Sequence, residues 1–301
     1  ILIPQIDAPQ PNNKQLINTG LWLIICGLLK KALVADYLAQ YNNWIFADPL
    51  AYTGFENLMG VLGFTLQIYC DFSGYSDMAI GIAALMGFQL SNNFNSPYQS
   101  LNLTEFWHRW HITLSQWFRD YVYIPLGGNR KGELKTYRNT FITMIVAGLW
   151  HGASGMFVLW GILHGIGLTI HKFFQNRGFS KVHNTIYVKA ICWIITFTYI
   201  SVAWVFFRSQ DLSTAFSIIG KITTDLHFVD VQNFINTRLL WIMLLAVSLE
   251  LHSIRQSDYK WLQQKFISLP WLAKLMIFLL VLQLVINLSQ NSVQPFIYTR
   301  F

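Results

Sequence analysis

Polar positions along this chain fall in clusters, and the apolar runs between them are long. Residues 16–29, LINTGLWLIICGLL, are apolar and meet Lys30-Lys31. They predict a short membrane helix with a basic end, running on as an amphipathic piece to about Tyr41. Asp48-Pro49 opens a loop. Residues 55–70 predict the next membrane helix, which meets DFSGYSD at 71–77. Two acids, a glycine and two serines predict a broken helix there, resuming from about Met78 to Phe88. SNNFNSPYQS at 91–100 is a polar loop. Asn102 with Glu105 three residues on has the form of a capping box. Phe106, Trp110, Leu114, Trp117 and Phe118 then recur at helical spacing and predict a helix to about Tyr121. Its other side carries His108, Arg109, His111 and Ser115, too polar to cross lipid freely, so an interfacial or re-entrant placement with Trp anchors is expected.

Residues 139–150 are apolar, WHGASG at 150–155 interrupts, and 156–170 are apolar again. No Asp, Glu, Lys or Arg lies between Arg138 and Lys172, a run of 33 residues; 275–299 give 25 more and 190–207 give 18. A span needs about 20 mostly apolar residues. Further spans are predicted at 186–207, about 237–252 and 271–288, with a surface helix at 211–224. The count is six to eight membrane-entering helices, and the expected fold class is an all-α, polytopic membrane protein forming one domain over 1–301. Arg130, Lys131, Lys135 and Arg138 are expected to crowd a short loop as one basic cluster, and Lys172, Arg177, Lys181 and Lys189 form a second; both are expected in the cytoplasm. The run between them must then enter and return. Twelve residues rise only about 18 Å as a helix, less than the ~30 Å bilayer core. His151 is therefore expected near mid-membrane, at a turn between two short helices or at a locally thinned place.

Composition supports this placement. Charged residues are 12% of the 301, against about 25% in a typical soluble domain. Apolar residues are 53%, and the mean hydropathy is +0.38. A disordered chain, a collagen and most cytosolic enzymes are excluded. The net charge of +7 sits in short loops rather than on a soluble basic stripe, so no nucleic-acid partner is expected; the bilayer is. Cys26, Cys70 and Cys192 lie in apolar stretches and fit small buried hydrophobes, not a disulfide framework. The chain begins ILIPQIDAPQP, without a methionine or a signal-peptide pattern, and the expectation is a piece of something longer whose upstream helices are missing.

Ionisable groups within membrane segments are costly and default to functional candidates. His151 leads them, flanked by Trp150 and followed by Gly152 in an otherwise uncharged run. A neutral imidazole there suits general-base work, and a core histidine bonded to a carbonyl is the plain alternative. His108 and His111 share a helix face at a spacing of three. With His151 they could make a three-histidine metal site, but no carboxylate or thiol cluster accompanies them, so no metal is expected. Asp71 and Asp77 could bind a substrate, tune a histidine, or cap the amides of a broken helix. Arg119-Asp120 reads as an ion pair or a head-group contact. Gly127-Gly128-Asn129-Arg130 could bend amides around a phosphate, or be only a turn. His164, His171 and His183 read as structural or interfacial. There is no Gly-x-Ser-x-Gly elbow and no phosphate loop.

QIYCDFSGYSDMAIGIAALMGF (67–88), FWHRWHITLSQWFRDYVYIPLGGNRKG (106–132) and AGLWHGASGMFVLWGILHG (147–165) resemble the membrane-bound O-acyltransferases. The similarity is to the branch that O-acetylates exported polysaccharides such as alginate; YIPLGGNRKG favours it over the D-alanine-transferring branch, and the terminal PFIYTRF also matches. The resemblance implies a helical fold with re-entrant pieces around a narrowing cavity, and a catalytic role for His151 with His111 as the second important histidine. His108, Arg109, Asp71, Asp77, Arg119 and Asn129 are the substrate-binding candidates. It implies acetyl-CoA as donor with no bound cofactor, a bacterial inner-membrane location, and an extracytoplasmic acetyltransferase partner serving the polysaccharide acceptor. It also implies family helices upstream of residue 16. A transporter with Asp71 and Asp77 as ion sites, or a non-catalytic scaffold of an export complex, are the competing readings.

Overall fold

A computed structural model describes residues 3–7, 13–178, 185–226 and 231–288. The described residues are helical, with no strand. A short helix α1 (Ile3–Asp7) precedes α2 (Lys14–Leu28), which passes through a π-helical stretch, Leu29–Ala35, into α3 (Asp36–Ala47). Then come α4 (Gly54–Leu85), α5 (Leu103–Arg109), α6 (Ile112–Phe118), a π-helical turn at Arg119–Tyr123, α7 (Glu133–His151) and α8 (Gly155–Asn176). The remainder is α9 (Ile186–Arg208), α10 (Leu212–Thr224), α11 (Val231–Thr237), α12 (Leu239–His252), α13 (Gln256–Ser268) and α14 (Trp271–Leu288). The chain divides into two compact units: Ile1–Asn43, Gly63–Asn92 and Val229–Arg300 in the first, Trp44–Leu62 and Asn93–Phe228 in the second.

In the first unit, α2 lies antiparallel on α4 at backbone distance. A Cβ on Gly20 would sit 2.7 Å from the Gly81 carbonyl oxygen, and one on Gly27 would sit 2.6 Å from that of Gly74. Only glycine permits this approach, the packing that small residues give membrane helices. The closeness brings two cations of the π-helical stretch onto α4. Lys30 Nζ lies 2.7 Å from Asp77 Oδ2, while Lys31 pairs with Asp71 and, at 2.8 Å, with Asp36. This corrects one expectation. Helix α4 is unbroken through DFSGYSD, because the acids are neutralised by facing lysines and cap no freed amides. The helix at 16–29 ends at Leu28, just before Lys30-Lys31, and the chain runs on helically through Leu29–Ala35 into α3, as expected.

The second unit is built on the antiparallel hairpin of α7 and α8. Gly148 faces the Phe157 carbonyl and Gly161 the Met144 carbonyl, again too close for a side chain. Helix α9 adds Trp204, which stacks on Trp160 at 5.9 Å and lies 5.0 Å from Trp110; all three are at most 2% exposed. The predicted surface helix is α10, whose N-terminus is capped by Asp211 accepting from the Thr214 N–H at 2.8 Å. Lys135 and Arg138 sit on α7 rather than in the preceding loop.

Among the described residues, two helices are long and apolar enough to cross a membrane, Gly155–Asn176 and Ile186–Arg208, or up to four if the bent pairs α11–α12 (90°) and α13–α14 (117°) each count as one span. That is fewer than six to eight. Helix α2 has only 15 residues, and α4 and α7 carry charges within their length.

Candidate active site

The segment predicted as one helix to Tyr121 is broken at Trp110-His111. Its start is as expected: Asn102 Oδ1 accepts the Glu105 N–H at 2.8 Å, and Glu105 reaches back to the Leu101 N–H at 2.9 Å and forward to Arg109 at 2.7 Å. Trp110 then turns extended and His111 takes the left-handed conformation, φ +41. A non-glycine residue persists there only when its surroundings over-determine it. The loop 93–95 does so. Asn95 N–H donates to the Arg109 carbonyl at 2.9 Å, and Ile112 N–H donates to the Asn93 carbonyl at 2.9 Å. Asn93 Oδ1 accepts from Thr113 N–H at 3.3 Å and Thr113 Oγ1 at 2.9 Å.

His111 Nδ1 lies 3.1 Å from that same Asn93 oxygen. The amide atom facing a backbone N–H must be the oxygen, so Nδ1 is the protonated nitrogen. Neutral His111 therefore carries no proton on Nε2. The residue lies outside the candidate spans, and burial holds its pKa down at about 4, so it is neutral near pH 7.

His151 is the last residue of α7. Gly152 leaves the helix at φ +154, a conformation that favours glycine, and Ser154 caps α8 by accepting the Met156 N–H. The turn predicted within WHGASG is thus a hairpin tip. His151 is 8% exposed, with Trp150, Trp160 and Phe207 rings at 5.0, 5.1 and 5.1 Å. Trp150 also stands 6.5 Å from His111, so the two histidines flank one indole.

A cavity of about 160 Å³ opens beside His151. It follows one face of α7, past Ala147, Met144 and Thr143 to Thr140, and is mostly apolar. Trp160 lines it along with His151; Lys172, Tyr123 and Arg119 line it along with Thr140. Thr140 and His151 are eleven residues apart on α7, about 16 Å of helix. Lys172 Nζ donates to Thr140 Oγ1 at 2.8 Å, lies 5.0 Å from the Tyr123 ring centre, and makes no ion pair among the described residues. Arg119 is paired with Asp120 at 2.7 Å.

The structure brings His151 and Arg119 to this cavity and His111 to its neighbourhood. His108 is exposed, and Arg109 is held by Glu105. Asn129 is exposed in a turn whose Gly127 and Gly128 have φ +109 and +54, and Asn139 Nδ2 donates to the Gly128 carbonyl. Asp71 and Asp77 belong to the first unit, in the ion pairs given above. Among the described residues no three His, Cys, Asp or Glu side chains could hold a metal ion. His164 is buried and accepts from Trp107 Nε1 at 3.3 Å, and His171 Nδ1 lies 2.9 Å from Thr104 Oγ1. His183, Lys181 and the terminal PFIYTRF lie outside the described residues. Sequence reasoning missed Lys172, Trp160 and Asn93. Lys172 had a signal, being the first charge after the 33-residue run.

A family model described as "MBOAT, membrane-bound O-acyltransferase family" matches residues 4–209. A peptidoglycan O-acetyltransferase of Helicobacter pylori is 44% identical over 222 residues, covering 72% of this chain and 41% of that protein. A probable alginate O-acetylase AlgI of Pseudomonas aeruginosa is 47% identical over 189 residues, covering 63% and 35%. Its namesake in Azotobacter vinelandii is 34% identical over 307 residues, covering 91% and 60%. The chain thus spans between about a third and three fifths of the length of these relatives. The chain belongs to the membrane-bound O-acyltransferase family and is membrane-embedded.

Proposed function

We propose that this chain carries the acyl-transfer centre of a bacterial inner-membrane O-acetyltransferase that takes an acetyl group from cytoplasmic acetyl-CoA and hands it across the membrane for O-acetylation of an envelope polysaccharide. The observation that carries this is His151, buried at a hairpin tip on the wall of an apolar cavity. The cavity's size supports a small acyl group: about 160 Å³ is close to an engineered cavity of ~150 Å³ that holds benzene. Its length supports a thioester on a phosphate-bearing arm. The arm of coenzyme A has about thirteen bonds between sulfur and phosphorus, ~16 Å when extended at ~1.2 Å per bond. With the thioester at His151, the phosphates reach Lys172.

His151 takes the proton of an acceptor hydroxyl. The oxygen forms a bond to the thioester carbonyl carbon, and the carbonyl electron pair moves onto its oxygen. Collapse breaks the carbon–sulfur bond, and the departing thiolate takes the proton back from His151. A positioned base of this kind contributes about 10²–10⁴-fold. His111, neutral and with Nε2 as an acceptor, orients the acceptor hydroxyl. The acceptor is a polysaccharide such as alginate or peptidoglycan, or a nucleophile of an extracytoplasmic transferase that serves it. The transporter reading loses force because Asp71 and Asp77 are already neutralised by lysines.

The test follows label from radioactive acetyl-CoA in membrane vesicles carrying the full-length protein or its His151→Ala variant, with acceptor or partner present. Label should reach the acceptor only with the histidine intact, at equal protein level. Equal transfer by both would make His151 structural and favour a scaffold.

A further inference from the structure

The thioester oxygen gains negative charge as the acceptor oxygen attacks, and in an apolar cavity that charge needs a hydrogen-bond donor already in place. The donors on the cavity wall are few, and most are committed. Thr143 Oγ1 donates to the Asn139 carbonyl at 2.7 Å, and Thr140 Oγ1 to the Thr136 carbonyl at 2.9 Å. Ser115 Oγ donates to the Trp110 carbonyl at 3.3 Å. Trp107 Nε1 donates to His164 Nδ1. Lys172 and Tyr123 sit by Thr140, eleven residues down α7 from His151, and Arg119 is paired with Asp120. His111 has its proton on Nδ1, spent on Asn93. Around His151 itself, Ala147, Met144, Phe157 and Phe207 offer no N–H or O–H from their side chains.

One donor remains. The indole Nε1–H of Trp160 is buried and has no hydrogen-bond acceptor among the described residues, although the residue is only 1% exposed. A buried polar group without a partner is uncommon in a folded protein and calls for an explanation. Its ring stands perpendicular to that of His151 with centroids 5.1 Å apart, and both line the cavity. A reacting carbonyl must lie about 3 Å from both its nucleophile and its oxyanion donor. Both rings border the same cavity. Its neighbours hold the indole rigid: Trp204 stacks on it, and His164 and Phe207 stand at 4.8 and 5.4 Å.

We infer that Trp160 is a catalytic residue whose indole N–H donates to the acyl carbonyl oxygen and stabilises the oxyanion formed when the acceptor attacks. The inference rests on the acetyl-transfer reading above. The carbonyl electron pair rises onto oxygen against the N–H, and falls back as the carbon–sulfur bond breaks. Trp160 gives up no proton.

The test replaces Trp160 in the full-length protein with 3-benzothienylalanine, which keeps the bicyclic shape and puts sulfur where the N–H was, and in parallel makes Trp160→Phe. Acetyl transfer is measured in vesicles against donor concentration, with protein level as the control. Both variants should lose about 10²–10³-fold in kcat, the usual loss for one oxyanion donor, with KM for acetyl-CoA little changed. The carbonyl stretch of bound, carbon-13-labelled acetyl-CoA should also move to higher frequency in the isostere. An isostere as active as the parent, or with the same carbonyl stretch, would overturn the assignment, even if Trp160→Phe fails to accumulate. Absence of transfer by the parent would instead remove the proposed function, which separates the two failures.

Discussion

His111 shows how a single side chain can set the chemistry of its neighbour. Its left-handed backbone and its tautomer trace to Asn93, one acceptor oxygen serving Thr113 twice and His111 once, while burial depresses its pKa. Exchanging that neutral acceptor for a charged one is therefore informative. Asn93→Asp keeps an oxygen in place and adds a negative charge, which favours the imidazolium and raises the His111 pKa from about 4. The neutral form, which alone can accept a proton at Nε2, then disappears at a higher pH. The acid limb of the pH–rate profile for acetyl transfer should move up by about one unit or more, while activity at alkaline pH survives. An unchanged profile would show that His111 takes no part in orienting the acceptor. Residue by residue, what was legible in the sequence was isolation. His151 stood out because nothing charged surrounds it for 33 residues. Trp160 and Asn93 gave no such signal, since an indole in an apolar run and an asparagine in a polar loop are each the expected residue there. Their roles appear only when the unmet donor of one and the triple acceptance of the other are seen in space.

At the scale of elements, polar residues in apolar segments were misread in opposite directions. DFSGYSD carries every local sign of a break, yet α4 runs on, because Lys30 and Lys31 meet its acids from a helix that glycines allow to within backbone contact. FWHRWHITLSQWF carries helical spacing throughout, yet it breaks, because loop 93–95 satisfies the freed backbone groups better than another turn would. In both cases the decisive partner is remote in sequence, and local pattern cannot hold it. The ion pairs of α4 make a test of this account. Asp77→Asn leaves the Lys30 ammonium without its counter-charge, and removing one partner of a buried pair costs about 3–5 kcal/mol. Lys30 and Asp77 side chains keep 33% and 20% exposure, so the loss should fall at or below the low end of that range. Thermal unfolding in detergent should show a lowered Tm for Asp77→Asn, and Lys30→Met with Asp77→Leu should recover most of it. A double variant no better than the single one would mean that the pair is not what keeps α4 whole.

For the whole molecule, the question is how deep the α7–α8 hairpin reaches. Both of its ends are basic, with Arg130, Lys131 and Lys135 near the start of α7 and Lys172 and Arg177 near the end of α8. An antiparallel hairpin returns to the side it left, so both clusters face one compartment, for which the positive-inside bias predicts the cytoplasm. The uncharged part of α7, from Asn139 to His151, rises only about 20 Å, against a core of ~30 Å. The prediction is that the tip ends within the membrane, where the proposed acceptor from the far side and the proposed cytoplasmic donor would meet at His151. Ala153, exposed at that tip, reports the depth. With Cys26, Cys70 and Cys192 replaced by alanine, Ala153→Cys should resist a membrane-impermeant maleimide added from either side of sealed vesicles, yet react with a permeant one, while Arg130→Cys and Arg177→Cys label from the cytoplasmic side alone. Rapid labelling of Ala153→Cys from the extracytoplasmic side would mean that the hairpin spans the bilayer, and would place His151 at the far surface, where a cytoplasmic thioester on a ~16 Å arm could not reach it.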